Sequence, residues 1–293
     1  MNYLIRIIKI CIKHPFLTIF AFLAGTLSMG ASILFPTLLG SIIDTTTASI
    51  QTGSIFNQPM IFLTSVIFIN MLFLGIFTFA KSYFIESLAE NVSYDLRKKF
   101  FNHVINLNFA FHDKTHTGNL MSRAITDMNS VQKLISSGIM DTPFQIGLLI
   151  IVPILLIKSH WQLGLLSLII SITIITIAIP LRLKVRSLWL TIQKNLANLS
   201  TTLQEDLTGI NVVKSFGAEN YETNKFKISN KNVARQIVSA ELIRSRYVAL
   251  KLFAFLLLPG IVLIAGRNLV LTGQLSTGEL AQFLFYLIML QNP

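Results

Sequence analysis

Two short segments of the chain combine aromatic and polar side chains in a way that is typical of a docking surface. The first covers residues 108–118, NFAFHDKTHTG, and the second covers residues 214–221, KSFGAENY. Each segment interrupts a helical pattern, so we expect a turn at both places. Exposed aromatic residues usually mark an interface, which predicts two binding tips. The alternative is a pair of ordinary turns whose aromatic side chains pack inward.

Other reactive residue types are sparse. His112 and His116 lie four residues apart, but only Asp113 offers a further ligand, so we predict no metal site. The single cysteine, Cys11, excludes an intrachain disulfide and a thiol-based metal site, and we interpret it as a packing residue. No G-x-x-x-x-G-K-[ST] phosphate loop occurs, so we predict no catalytic residue and no ATP hydrolysis by this chain alone.

The composition predicts a membrane protein. Of the 293 residues 53% are hydrophobic and 13% are charged, whereas soluble proteins average about 25% charged residues. The net charge is +11, but no nucleic-acid recognition motif accompanies it, so we expect no nucleic-acid partner. Basic loops on the cytoplasmic side of a membrane explain the charge better.

The apolar runs predict an all-α polytopic membrane protein with six transmembrane helices. The runs cover about residues 16–43, 60–80, 142–157, 161–181, 252–271 and 280–293, and the last is too short for a complete span, as if cut within a helix. Residues 1–15 are predicted to form a basic amphipathic helix on the membrane surface. A secretory signal peptide is the alternative, but the following apolar run is about twice as long as the apolar core of a signal peptide.

The basic residues predict the orientation. Of the 24 Lys and Arg residues, 22 lie in the N-terminal segment or in the loops 81–141 and 182–251, which we therefore place in the cytoplasm. The segment 44–59 has no Lys or Arg and is predicted to be an external, solvated loop. Apolar residues recur every three or four positions in both long loops, so we expect the spans to continue as helices roughly 30 to 40 Å into the cytoplasm.

Three motifs, taken in order along the chain, resemble the transmembrane domain of ABC exporters with the type-1 fold. The stretches 96–107 and 111–127 resemble the first intracellular loop of that family, residues 205–219 resemble the second, and residues 273–280 resemble the turn into the sixth helix. The sequence departs from the family pattern at His112, where an aromatic residue is common. Lipid A flippases and multidrug exporters are the most similar functional types.

The resemblance implies a half-transporter in the bacterial inner membrane that pairs with a second six-helix domain, as a homodimer or heterodimer. Nucleotide-binding domains, expected after residue 293, would bind ATP and Mg²⁺ and drive alternating access. The residues implied to couple to them are Phe109, Phe111, His112, Asp113, Ser215, Phe216, Ala218, Glu219, Asn220 and Tyr221. Those implied to have structural roles are Gly118, Arg123, Asp127, Glu205, Gly209 and Lys214. Arg123 and Asp127 are expected to pair one helical turn apart.

The uncharged spans favour an amphipathic or hydrophobic cargo, such as a lipid or a drug-like molecule. Lys81, Arg182 and Lys184 lie at the inner ends of spans and are interpreted either as contacts for an anionic headgroup or as snorkelling anchors. Membrane lipids are therefore expected partners. An ion-coupled secondary transporter is an alternative, which the lack of charges within the spans disfavours. A membrane scaffold without transport activity and a peptide exporter stay open.

Overall fold

The computed structural model describes residue 7 and residues 9–52 and 58–290, and this part of the chain is helical throughout with no strand. Residues 9–11 form a helical turn ahead of the first long helix. Eight helices follow in the described part of the chain, and several are separated from the next helix only by a short turn. They are α1 (Pro15–Thr52), α2 (Gln58–Ile105), α3 (Phe109–Lys114), α4 (Thr117–Ser159), α5 (Trp161–Thr208), α6 (Ile210–Ser215), α7 (Glu219–Leu271) and α8 (Thr277–Met289).

Five of these helices, α1, α2, α4, α5 and α7, are long and apolar enough to cross a membrane, as judged over the described residues, and α8 is a shorter apolar helix. This confirms the prediction of an all-α polytopic membrane protein. α2 and α5 have 48 residues each and α7 has 53. At 1.5 Å per residue each is at least about 70 Å long, which exceeds the 40–45 Å of a whole bilayer. These three helices are thus longer than a bilayer is thick, in line with the predicted helical extensions of the spans.

The predicted loop at 44–59 is wrong in its first part, because α1 continues through Thr52. The hydroxyl groups of this polar stretch bond back to the helix: Thr45 Oγ1 donates to the Ser41 carbonyl at 2.9 Å and Thr46 Oγ1 to the Ile42 carbonyl at 2.7 Å. Their polarity is thereby satisfied within the helix and does not require a loop. Residues 53–57 lie outside the described part of the chain.

α4 is one continuous helix that contains two π-helical segments, Arg123–Asp127 and Leu134–Asp141. π segments within α-helices are rare and occur frequently at functional sites. Arg123 and Asp127 are the first and last residues of the first of these segments. Both side chains are exposed and no ion pair joins them in the described part of the chain, so their pairing stays a prediction.

The chain divides into two compact units, of which the first comprises Met1–Gly164 and Leu263–Pro293. Its core includes the fully buried Leu88 and Val92 of α2 and Ile135 of α4. Cys11 is 1% exposed and packs in this core, as expected of a packing residue, and burial raises the pKa of its thiol. Residues 1–6 and 8 of the predicted surface helix lie outside the described part of the chain.

The second unit is Leu165–Val262, formed by most of α5, the short α6 and most of α7. Ile192 of α5 and Val233 and Ala240 of α7 are buried within it. Asn195 Nδ2 donates a hydrogen bond of 2.6 Å to Gln236 Oε1, which fixes the register of the two antiparallel helices. Because only two long helices build this unit, much of its apolar surface stays exposed.

Candidate functional site

The first predicted tip is the short helix α3. Asn108 caps it, since its side-chain oxygen accepts a hydrogen bond of 3.1 Å from the Phe111 backbone N–H. Phe109 is 88% exposed, whereas Phe111 is half-buried and packs edge-on against His112 at 5.6 Å between ring centroids. His112 and Asp113 are exposed. The tip therefore presents one aromatic ring outward and anchors the other.

A groove of about 730 Å³ lies behind this tip, within the first unit. Its walls come from the end of α2, from the α3 segment and from the start of α4, and they are mostly apolar. The lining includes Phe100, Phe101, Val104, Leu120 and Met121. His112 of the tip thus borders the same groove as the end of α2 and the start of α4.

The second predicted tip is the turn between α6 and α7. Phe216 is 82% exposed and Tyr221 is 70% exposed. Gly217 takes a φ of +62°, a conformation that side chains disfavour, and the Ala218 N–H donates to the Val213 carbonyl at 2.9 Å. The reversal after α6 thus depends on Gly217, which the sequence analysis did not single out, although a Gly directly after a helical stretch is the usual signal.

An ion pair closes the same turn. Lys214 Nζ lies 3.0 Å from Glu219 Oε1, so the last turn of α6 is joined to the first residue of α7. The pKa of Glu219 is lowered, first by a hydrogen bond from the backbone at the start of α7 and then by Lys214. The two tips share exposed aromatic side chains, which excludes the alternative in which all of these rings pack inward.

The remaining tip residues are exposed or half-buried, and two glycines of the family motifs lie in or beside the terminal turns of helices. Ser215 and Asn220 are exposed and Ala218 is half-buried. Gly209 stands at the end of α5, where its N–H donates to the Glu205 carbonyl at 2.8 Å, as expected of a helix-end glycine. Gly118 lies in the first turn of α4 with open space around it, so a close-packing role is wrong there. Among the described residues no group of three metal-ligand side chains occurs.

The three predicted headgroup contacts differ in their surroundings. Lys81 is half-buried and forms an ion pair of 2.5 Å with Asp141, and its Nζ lies 4.9 Å from the centroid of the Phe144 ring. This partner is 60 residues away and was not anticipated from the sequence. Arg182 and Lys184 are exposed and form no ion pair within the described part of the chain, so their contact with an anionic headgroup stays a prediction.

A second polar cluster, which the sequence analysis missed, joins the end of α1 to the start of α8. Asp44 accepts hydrogen bonds from Ser276 Oγ at 2.6 Å and from the Gly278 backbone N–H at 2.7 Å. Ser276 and Glu279 also form a capping box at the start of α8. Gly40 and Gly278 touch here, since a Cβ built on Gly278 would overlap the Gly40 carbonyl oxygen. We call these residues the α1–α8 junction.

A family comparison agrees with the all-helical membrane fold described above. The family model for the ABC transporter transmembrane region matches residues 18–293. This chain belongs to that family. The matched residues include both tips and the turn at 273–280.

Curated relatives are similar in sequence to most of this chain. An uncharacterised ABC transporter ATP-binding protein of Bacillus subtilis is 26% identical over 279 residues, 95% of this chain and 47% of the relative. An ATP-dependent lipid A-core flippase of Colwellia psychrerythraea is 30% identical over 223 residues, 75% of this chain and 36% of the relative. A putative multidrug export ATP-binding/permease protein of Bacillus subtilis is 25% identical over the full chain and 50% of its own length. The chain thus spans half or less of the length of these relatives.

Proposed function

We propose that this ABC transmembrane domain is the permease of an ATP-driven exporter that moves an amphipathic or hydrophobic substrate, lipid or drug-like, out of the cytoplasm or the inner leaflet by alternating access. The observation that carries the proposal is the exposure of Phe109 and Phe216 at turns that end very long helices. A permease without a motor has no need for aromatic docking residues at such turns.

The long helices supply the mechanical connection. Each tip lies between two long helices, and each of these helices contains an apolar stretch that is long enough to cross a membrane. When nucleotide-binding domains that hold ATP and Mg²⁺ close, a tip seated on them moves with them, and stiff helices carry that movement to the substrate path. Phe109 and Phe216 would be the anchors of the docking surfaces, and the remaining tip residues would form their polar rims.

The second unit supports pairing with another transmembrane domain. Large aliphatic side chains on its parts outside the apolar stretches are exposed in the single chain, including Leu203, Leu207, Ile228, Val238 and Leu242. A two-helix unit cannot cover these side chains by itself, so a second six-helix domain is the partner that would bury them. The nucleotide-binding domains are the second class of partner, since the relatives named above are described as ATP-binding or ATP-dependent proteins.

The orientation and the cargo follow from charge. We place the N-terminus and the two tips in the cytoplasm and the domain in the bacterial inner membrane, because 22 of the 24 Lys and Arg residues lie on that side in the six-span topology. Apolar spans suit an amphipathic or hydrophobic cargo. An ion-coupled secondary transporter remains the alternative function, and a scaffold without transport activity is the other.

The test uses the intact protein, isolated from its native membrane with whatever subunits accompany it. Its mass shows whether a motor of about 25 to 30 kDa is fused to this domain or separate.

In proteoliposomes we expect transport that requires ATP, and F216A and F109A should each reduce it at least tenfold, because the motor then loses its anchor. Y94A, which removes an aromatic ring that is 61% exposed on α2 and belongs to neither tip, is the matched control and should leave transport unchanged. Transport driven by an ion gradient without ATP would contradict the proposal.

A further inference from the structure

A small polar cavity lies in the first unit where α2 faces the second π segment of α4. Its volume is about 260 Å³, which suits a headgroup better than a whole drug-sized ligand, for which pockets of about 300–1,000 Å³ are usual. We call it the Lys81 recess. Its lining comprises Lys81, Ser82, Ile85 and Glu86 of α2 and Ser136, Ser137 and Asp141 of α4.

The charges of the recess do not balance. Lys81 is engaged by Asp141 at 2.5 Å, and Gln145 Nε2 donates to the other oxygen of the same carboxylate at 3.3 Å. Glu86 is exposed and forms no ion pair within the described part of the chain. One negative charge therefore stays uncompensated. An anion would meet two carboxylates beside an amine that already has a partner, which argues against Lys81 as a contact for an anionic headgroup.

Neutral hydrogen-bonding groups line the opposite wall. The hydroxyl groups of Ser136 and Ser137 form no hydrogen bond within the described part of the chain, and Ser136 is 7% exposed. The π-helical turn Leu134–Asp141 places these serines and Asp141 on the recess together. Serine oxygens accept hydrogen bonds, so this wall suits an ammonium donor or a polar group attached to a cation.

An aromatic strip leads from the membrane-spanning part of α2 to the recess. Phe79 is 73% exposed and Tyr83 is 59% exposed, and their rings stack with centroids 6.3 Å apart. Phe79, Tyr83 and Glu86 are spaced by four and three residues, which places them on one face of the helix. An apolar tail lying along Phe79 would thus bring a cationic head past the Tyr83 ring, where a cation–π contact is available, to Glu86.

We propose that the Lys81 recess and this aromatic strip bind the ammonium group of a cationic amphiphile, with Glu86 as its counter-ion. Glu86 supplies the unbalanced charge, Tyr83 contacts the cation, and the serines accept hydrogen bonds. The Lys81–Asp141 ion pair joins the α2 wall to the α4 wall. Because Lys81 neutralises the Asp141 carboxylate, Glu86 is the carboxylate that attracts the cationic head. As a statement about transport the inference rests on the proposed export function; as a statement about binding it stands alone.

The experiment measures binding without ATP, on the intact protein in phosphatidylcholine nanodiscs. The probe is a fluorescent primary alkylammonium, whose N–H groups can donate to the serine oxygens, the control probe is a sulfonate with the same fluorophore and tail, and empty nanodiscs give the lipid background. We expect E86Q to weaken ammonium binding about fivefold, the upper end for the loss of an exposed charge pair. E90Q removes a carboxylate one turn further along α2 that pairs with Arg97 and does not line the recess, so it should change affinity less than twofold. E86K should reverse the preference toward the sulfonate.

Three outcomes would overturn the inference: equal binding of both probes to the unmodified protein, unchanged ammonium affinity in E86Q, or an E86Q effect that arises only from dissociation of the assembly, seen as a smaller particle. Recess binding without ATP-dependent transport would support the inference and contradict the export function instead. ATP-dependent transport of other substrates with no Glu86-dependent probe binding would uphold the export function and refute the recess.

Discussion

The carboxylate of Asp44 accepts the backbone N–H of Gly278 at 2.7 Å, although 234 positions of sequence separate the two residues. The same carboxylate accepts the Ser276 hydroxyl at 2.6 Å and the Thr277 hydroxyl at 3.4 Å. A negative group at this place compensates the unpaired N–H groups and the positive end of the α8 dipole. The first and the last described helices are thus joined by one side chain.

The glycines at the α1–α8 junction are predicted to be irreplaceable because of space. A Cβ on Gly40 would lie 2.7 Å from the Gly278 carbonyl oxygen, whereas Gly30, ten residues earlier on the same helix, has no heavy atom within 4 Å of that position. We expect G40A to lower the free energy of unfolding by about 1–3 kcal/mol, the usual cost of overpacking. G30A should be neutral or slightly stabilising, since alanine favours helix. Thermal unfolding in detergent measures both, and equal melting temperatures would refute the contact.

Removal of the Asp44 carboxylate should loosen the start of α8. In D44A the buried Gly278 N–H loses its acceptor, a loss that costs about 1–3 kcal/mol. We expect faster hydrogen exchange of the backbone amides of residues 277–280, with residues in the middle of α2 unchanged. D44N keeps one oxygen acceptor, so its exchange rates should lie between those of D44A and those of the unmodified protein. Unchanged exchange in D44A would show that the capping box of Ser276 and Glu279 suffices by itself.

The second tip should loosen in acid. The pKa of Glu219 is lowered from its ordinary value of 4.5, so its ionised form is favoured in the folded tip. A lowered pKa contributes stability that is present above the ordinary value and is lost as the pH falls through the folded value. Hydrogen exchange at residues 217–222, corrected for intrinsic rates, should accelerate between about pH 5 and pH 3. E219Q should remove this pH dependence, and E222Q should keep it. A pH profile that is the same in E219Q would contradict the assignment.

Sidedness is tested with single cysteines. Cys11 is the one cysteine of these 293 residues and is buried, so C11A removes the thiol of this domain, and any cysteine outside these residues is replaced as well. A cysteine at Phe216 should react with a membrane-impermeant maleimide only in inverted vesicles. A cysteine at Gln274, exposed in the turn between α7 and α8, should react in intact cells. The reverse pattern would invert the orientation derived from the charge distribution.

The sequence was informative where the structure depends on local periodicity. The recurrence of apolar residues at three and four positions predicted that α2, α5 and α7 continue far beyond their apolar stretches, and the break at 214–221 located the turn that exposes Phe216. The π segments of α4 could not be predicted, because over five to eight residues the π-helical and α-helical repeats differ by less than one turn. The polarity of 44–52 suggested a loop because side-chain hydroxyls bonded to their own helix look the same in sequence as solvated ones.

The contacts that join distant helices were out of reach for a different reason. Asp44 and Gly278, like Lys81 and Asp141, are related only by how the helices pack, and each looks like an ordinary residue at the end of a span. A lone lysine at that position is typical of a snorkelling anchor or a headgroup contact. Asp141 beside it neutralises the lysine and leaves the negative charge of Glu86 for a ligand, which no spacing within α2 could reveal.

The most direct test of the account is photo-crosslinking from the second tip. A photoreactive amino acid replaces Phe216 in the intact protein in its native membrane, and the same replacement at Ile228 is the control. We expect the Phe216 adduct, and not the Ile228 adduct, to contain peptides of an ATP-binding domain, on this polypeptide or on a separate one. Adducts from Phe216 that contain only lipid, or only residues of this transmembrane domain, would contradict the claim that the tip connects the permease to an ATP-driven motor.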